Sequence, residues 1–232
     1  MRVVCIIPAF NEETTIGRIV SEAFKHCDMV LVVDDDSQDH TVELSRKAGA
    51  TVIRHVLRLG TGGALSTGFR AALKADFEAF VTMDGDGQHN PNEIPVVLDP
   101  ILKHEADIVI GSRLLKQSES MPLFKRIANR ILSIVTSFAS GTKITDSQSG
   151  FRVYRRKVLE YAIHGAWDYR WASEILVQAA KADFRIKEAP ITAIYLPKRQ
   201  RGAGVKDGLK ILHSMIKRPE NPQASCKAKP KA

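Results

Sequence analysis

The chain opens with short unbroken apolar runs, separated by stretches in which apolar side chains recur every three or four residues. Val- and Ile-rich runs of strand length at 3–7, 29–33, 51–55, 79–83 and 107–110 read as buried strands. Between them, helical spacing predicts helices over about 14–25, 41–48, 60–75 and 92–104, with Gly49 stopping the second. Pro8 reads as the end of the first strand. Strands alternating with helices predict an α/β fold with a mostly parallel sheet and right-handed crossovers. The second half is less regular: a long helix over 122–140, a short strand at 151–154 and helices at 157–163 and 171–182 are expected. Strands at 184–188 and 191–195 and a last helix at 207–217 follow.

Composition narrows this to one domain over 1–217 with a basic tail over 218–232. The 232 residues are 44% hydrophobic and 26% charged, a globular balance. No apolar run approaches the roughly 20 residues that span a bilayer, and the N-terminus lacks the apolar core of a signal peptide. A cytoplasmic location is therefore expected. Cys5, Cys27 and Cys226 form no CxxC pair and read as incidental thiols. A net charge of +8 suggests a polyanionic partner. Nucleic acid is not expected: aromatics are only 6%, and carboxylates crowd the segments where ligands should bind.

In open α/β sheets ligands bind beyond the carboxyl ends of the strands. Three polar clusters stand there, at 8–13, 34–39 and 84–88, so they should share one crevice. Asp84-Gly85-Asp86 sets two carboxylates at a strand end with no adjacent Lys or Arg. Such neighbours resist ionisation unless a cation joins them, and oxygen ligands suit Mg²⁺ or Mn²⁺. A solvated Asp-Gly turn explains the same letters equally well. Asp34, Asp35, Asp36 and Asp39 form the second cluster; Asp39 fits as a cap for the helix near Thr41. The first cluster carries PAFNE where a dinucleotide fold would carry GxGxxG, which argues against a nicotinamide or flavin enzyme.

Taken in order, PAFNE, VVDDDSQDHT, MDGDGQHNP, IGSR and DSQSGFRVYRR resemble the inverting glycosyltransferases of GT-A (Rossmann-like) fold, in the branch that includes dolichol-phosphate mannose synthase. The resemblance runs from Met1 to about Lys206. It implies a nucleotide-sugar donor, GDP-mannose before UDP-glucose or UDP-N-acetylglucosamine, and a polyprenyl phosphate acceptor. It implies that Pro8, Phe10 and Glu12 line the nucleoside pocket and that Val33 and Asp35 contact base or ribose. Asp84, Gly85 and Asp86 would form the D-x-D motif, with Asp84, Asp86 and Gln88 holding Mg²⁺ or Mn²⁺. Arg113, Arg126 and Arg152 would neutralise donor or acceptor phosphate. Arg199 and Lys206 would serve the donor, although the segment 199–206 departs from the family pattern by one extra residue and a missing serine.

An ionised lipid phosphate needs only cations to hold it, whereas a sugar hydroxyl needs a carboxylate base, Asp146 first. Hydroxyl transfer is the alternative; a nucleotidyltransferase ranks lower, because it would place a basic glycine-rich loop after the first strand. On the long helix, Ile127, Ile131, Ile134, Val135 and Phe138 share one face, with Lys125, Arg126 and Arg130 off it. Such a helix can lie in a membrane interface or pack on the sheet with a basic outer face. The resemblance favours the first, as a peripheral contact on the cytoplasmic side of a membrane.

Overall fold

In the computed structural model, the described residues are 1–115, 123–162, 171–192 and 194. They build one seven-stranded sheet in the order β3-β2-β1-β4-β6-β5-β7. The strands are β1 (Val3–Ala9), β2 (Met29–Asp34), β3 (Thr51–Arg54), β4 (Ala79–Thr82), β5 (Ile108–Ser112), β6 (Arg152–Arg155) and β7 (Ile186–Pro190). All run parallel except β6, which is antiparallel to both β4 and β5. The helices are α1 (Ile16–Ala23), α2 (Thr41–Lys47), α3 (Gly60–Ala72), α4 (Ile94–Leu102), α5 (Leu123–Ser140), α6 (Arg156–Ala162) and α7 (Trp171–Lys181). The α/β, mostly parallel sheet expected from the sequence is therefore present.

Successive strand residues point to opposite faces, and both faces are covered. Cys5, Ile7, Val30, Val32 and Val81 pack under α1 and α4, through Ile16, Ile19, Val97 and Ile101. Val4, Ile6, Leu31, Val33 and Phe80 pack on the other face under Leu65 and Phe69 of α3 and Leu176 of α7. Cys5 and Cys27 are buried free thiols of the first layer.

From β1 the chain passes outward through β2 to β3, then returns to place β4 on the opposite side of β1. That reversal opens a crevice at the carboxyl ends of β1 and β4. Pro8 does not end β1 as expected; the strand continues to Ala9. Odd residues of β1 bond β2, as in Asp35 N–H to the Ala9 carbonyl at 2.8 Å, while Ile6 accepts from Met83 of the β4 side. The N–H that proline lacks would face β4, where pairing stops at Ile6–Thr82. Proline thus ends one ladder and spares the other, and the crevice begins there.

Two expectations shift in the second half. The short strand at 151–154 forms as β6, over Arg152–Arg155, but runs antiparallel. The expected strand at 184–188 forms as β7, over Ile186–Pro190; of the one expected at 191–195, residues 191, 192 and 194 carry no strand and 193 and 195 lie outside the described residues. Beyond β7, Thr192 donates its N–H and hydroxyl to Glu93, at 2.9 Å each, and Ile194 N–H bonds the Gln88 carbonyl at 3.0 Å. Those groups fasten the chain across the crevice loop instead of extending a sheet. The expected helix at 207–217 and the tail at 218–232 lie outside the described residues.

Candidate active site

The end of β4 delivers Asp84, Gly85 and Asp86 into the crevice. Thr15, just ahead of α1, donates its hydroxyl to the Gly85 carbonyl at 2.7 Å, and a Cβ on Gly85 would meet the Pro8 carbonyl at 3.3 Å. Gly150, from the turn before β6, passes close on Asp84: a Cβ there would stand 2.6 Å from its Oδ2. Only glycine leaves room for the carboxylate. Asp84 is crowded by protein, yet 41% of its side chain meets solvent, as befits a crevice floor.

Burial pushes the Asp84 carboxyl above the usual carboxylate range, with Arg113 and Arg152 opposing it. Asp86 is raised by burial and then by the charge of Asp84. Gln88 partly offsets this by donating its backbone N–H to Oδ1 at 3.0 Å and its amide to Oδ2. Behind Asp84 sits His89, with Nδ1 3.8 Å from Oδ2 and its ring against Phe151. Among the described residues, neither ring nitrogen of His89 has a hydrogen-bond partner. Burial and the Arg113 charge push its pKa down to about 4, so the ring is neutral.

These residues fit a divalent cation. Two mutually repelling carboxylates with raised affinity for protons have a deficit of positive charge, which a cation relieves. Among the described residues no group of three His, Cys, Asp or Glu side chains converges to hold an ion by itself. Two carboxylates suit an ion whose remaining positions are filled by water and a diphosphate.

The ends of β1 and β2 form the other wall. Asn11 and Asp36 adopt φ of 55° and 67°, the left-handed region that Asn and Asp tolerate, and lock the two loops together. Asn11 N–H reaches Ser37 Oγ at 2.9 Å and Gln38 N–H reaches Asn11 Oδ1 at 2.8 Å. Glu12 is buried, its N–H bound to Thr41 Oγ1 at 2.7 Å and its carbonyl receiving the Thr15 and Ile16 N–H groups. Asp39 accepts the Thr41 N–H at 3.0 Å, but the N-cap of α2 is His40, one residue later than expected, and its side chain makes no capping bond. Phe10 is half-buried, and the guanidinium of Arg58 lies 3.8 Å above its ring.

Asp35 holds the β3–α3 loop. Its carboxylate accepts from Leu59 N–H at 2.8 Å, Gly60 N–H at 2.7 Å and pairs with His55 Nδ1 at 2.9 Å. His55 Nε2 continues to Thr67 at 3.0 Å. The side chain of Val33, the other residue expected to contact base or ribose, lies in the core. It is fully buried under α3, 3.2 Å from where a Cβ on Gly68 would stand. Strand alternation turns it to the core layer under α3, and Val32 to the opposite layer.

The three arginines have different surroundings. Arg113 forms a two-pronged pair with buried Asp146, Nε to Oδ2 at 2.7 Å and Nη2 to Oδ1 at 2.9 Å. Burial opposes ionisation of Asp146, but Arg113 outweighs it and holds the carboxyl below the usual range. Arg152 is 1% exposed and donates to the carbonyls of Ser149 at 2.8 Å and Ser147 at 2.6 Å. It braces the turn that carries Gly150 and supplies buried positive charge. Arg126, on α5, is solvent-exposed. Arg199 and Lys206 lie outside the described residues.

Sequence reasoning assigned no role to His89, Gly150, Arg58 or His55. The signals were a histidine beside the paired aspartates, a glycine in SQSGF and a basic residue in the loop before Gly60. None can be weighed without knowing what the chain brings beside it.

Residues 4–162 match Glycosyl transferase family 2. A UDP-N-acetylglucosamine–dolichyl-phosphate N-acetylglucosaminyltransferase of Methanococcus voltae is 34% identical over 235 residues, covering 91% of this chain and 93% of that protein. A polyprenol monophosphomannose synthase of Mycolicibacterium smegmatis is 31% identical, covering 93% and 85%. Glucosyl-3-phosphoglycerate synthase from Mycobacterium tuberculosis, solved with Mn²⁺, UDP and phosphoglyceric acid, aligns with a TM-score of 0.71 at 17% identity, covering 94% of this chain and 80% of that one. At that identity the structural likeness establishes the GT-A fold. The family match, the relatives and the crevice at the β1–β4 switch agree: the chain belongs to glycosyl transferase family 2 and is a glycosyltransferase.

Proposed function

We propose that the protein transfers a sugar, with inversion, from a nucleotide-sugar to the phosphate of a polyprenyl lipid, while resting on the cytoplasmic face of a membrane. The outward face of α5 carries this reading. Ile127, Ile131 and Ile134 are more than half exposed, and Phe138 is 92% exposed. The inward face is polar instead: Ser133 and Thr136 are buried, and Ser133 Oγ accepts the Ser147 N–H at 2.9 Å. A helix that merely packed on the sheet would turn its apolar stripe inward. Here the stripe faces out, flanked by exposed Arg126 and Arg130, the pattern of an interfacial helix on an anionic surface. No helix among the described residues is long and apolar enough to cross a membrane. The M. voltae and M. smegmatis relatives are named for dolichyl and polyprenol phosphate chemistry, which supports the same acceptor.

In this reading Asp84, Asp86 and Gln88 would hold Mg²⁺ or Mn²⁺, which would supply positive charge toward the leaving diphosphate. The Mn²⁺ and UDP named for the M. tuberculosis enzyme support that use. Phe10, with Pro8 and Glu12, receives the nucleoside, and Asp35 fixes the loop that brings Arg58 over it. Arg113 and Arg152 keep the crevice wall positive, and Arg126 meets the lipid phosphate. A lipid phosphate is already ionised, so no side chain need remove a proton. Asp146 is buried and paired with Arg113, a poor proton acceptor, which weighs against the hydroxyl alternative.

The two relatives differ in sugar, so the donor is the first thing to test. GDP-mannose, UDP-N-acetylglucosamine and UDP-glucose should each be offered with polyprenyl phosphate, free polyprenol or neither, and nucleoside diphosphate release measured. One donor should turn over only with the phosphorylated lipid; equal use of free polyprenol sinks the acceptor assignment. Arg126→Lys should weaken acceptor use and leave donor binding near normal. The protein should sediment with anionic liposomes at low salt and detach as salt rises. Ile134→Glu with Phe138→Glu should abolish sedimentation, and unchanged sedimentation would remove α5 from the contact.

A further inference from the structure

His89 is the buried polar group that the crevice chemistry leaves unexplained. Its side chain is 2% exposed, and both ring nitrogens lack hydrogen-bond partners among the described residues. A neutral imidazole carries one donor and one acceptor, and leaving both unmet in an interior is unfavourable. A leucine of similar volume would avoid that penalty. The ring is nonetheless aimed: Phe151 packs against it with centroids 5.5 Å apart, and Nδ1 faces Oδ2 of Asp84 at 3.8 Å. That is roughly 1 Å beyond a hydrogen bond. Gly150 closes on the same oxygen, leaving no room for a Cβ. The carboxylate therefore lies between a backbone surface and an unpartnered ring nitrogen, with its remaining freedom toward the open crevice.

We propose that His89 is a positioning residue for the cation: its Nδ1–H takes Oδ2 of Asp84 when Asp84 turns its other oxygen to a divalent ion. This rests on the reading of Asp84 and Asp86 as ligands given above. Ligating carboxylates are commonly held by such outer hydrogen bonds, and losing one weakens metal binding about 10- to 100-fold. Arg113 on one side and Asp86, Asp146 and Glu93 on the others are the charged groups around the ring.

Mn²⁺ binding to the full chain, followed by the electron paramagnetic resonance of free Mn²⁺ with and without GDP or UDP, tests this. His89→Leu should weaken Mn²⁺ binding about tenfold, while melting of the ion-free protein stays level or rises. His89→Asn, whose amide N–H can stand near the Nδ1 position, should recover most of the affinity. His89→Gln, which reaches the Nε2 position instead, should not. Wild-type protein that fails to bind Mn²⁺ removes the ligand reading itself. Wild-type binding with unchanged affinity in His89→Leu overturns only the role of His89. If His89→Leu does not fold, equal affinity of the Asn and Gln variants overturns it. A directly bonded nitrogen in pulsed resonance spectra of the wild type would make His89 a ligand and overturn it as well.

Discussion

Two carboxylate sites stand at opposite ends of the sheet, Asp107 buried and the Asp84–Asp86 pair partly buried, and they behave in opposite ways. Asp107, at the amino end of β5, is surrounded by cations: Lys157 at 2.9 Å, Arg185 at 3.3 Å and Arg155 at 3.9 Å. Burial pushes its pKa up, but Lys157 and the Arg185 N–H and guanidinium outweigh that and hold it at about 2. Asp84 and Asp86, at the carboxyl end of β4, have no Lys or Arg within ion-pair distance among the described residues, and burial leaves both raised. The first site is complete within the fold and contributes stability. The second leaves a charge deficit that only something outside the chain can fill. Burial alone does not separate structural from functional aspartates; the partners do.

The sharpest way to break this contrast is Asp86→Asn. Removing an anionic ligand should lower sugar transfer roughly 100-fold or more, since several kcal/mol of charge stabilisation disappear. Melting of the ion-free protein should hold or rise, because a repelled buried charge is gone. A fall in stability comparable to that of a core mutation would place Asp86 with Asp107 instead. Mn²⁺ affinity should also fade on acidification at higher pH than ordinary carboxylates would give, since both acids hold protons more tightly.

Gly150→Ala comes next. The added methyl would stand 2.6 Å from Asp84 Oδ2, so the carboxylate must move. Displacing a reacting-site group by about 1 Å can reduce turnover on the order of 100-fold. Turnover and Mn²⁺ affinity should drop together, and a variant with normal values for both would refute the close approach.

Asp107→Asn should do the reverse of Asp86→Asn, leaving kcat/KM unchanged and lowering stability. Its folded pKa lies below the ordinary value of 3.8, so its contribution is present above pH 4 and is lost as pH falls toward 2. That contribution is roughly 1–2 kcal/mol, because Lys157 and Arg185 are more than half exposed and screened by salt. Denaturant titrations at pH 7 and pH 3 should show the gap between wild type and variant closing at the lower pH.

Arg58→Ala should have the smallest effect. A guanidinium over an aromatic ring contributes about 0.5–1 kcal/mol when exposed, so donor KM should rise two- to fivefold with kcat held. A fall in kcat alone would move Arg58 from the nucleoside to the reacting end.

Much of the crevice was legible because each ligand-bearing segment follows a strand whose apolar run announces itself. The 8–13, 34–39 and 84–88 clusters converge as strand order requires. The nucleoside roles were less legible. Asp35 looked like a ligand contact, but the β3–α3 loop, arriving from 24 and 25 residues along the chain, supplies its N–H partners. The parity of Val33 in its strand sends its side chain to the core.

The sequence by itself determined the alternation of strands and helices, the strand ends that carry carboxylates and the apolar stripe on α5. Those are local properties, set by side-chain period and by the residues at each turn. Tertiary structure decided which way the stripe faces, that β6 runs antiparallel between β4 and β5, and that Arg113 is bound to Asp146 33 residues later. It also decided that Gly150 and His89 enclose Asp84. Each of these depends on which distant segment fills the space beside a residue, and packing and charge pairing settle that only once the chain has folded.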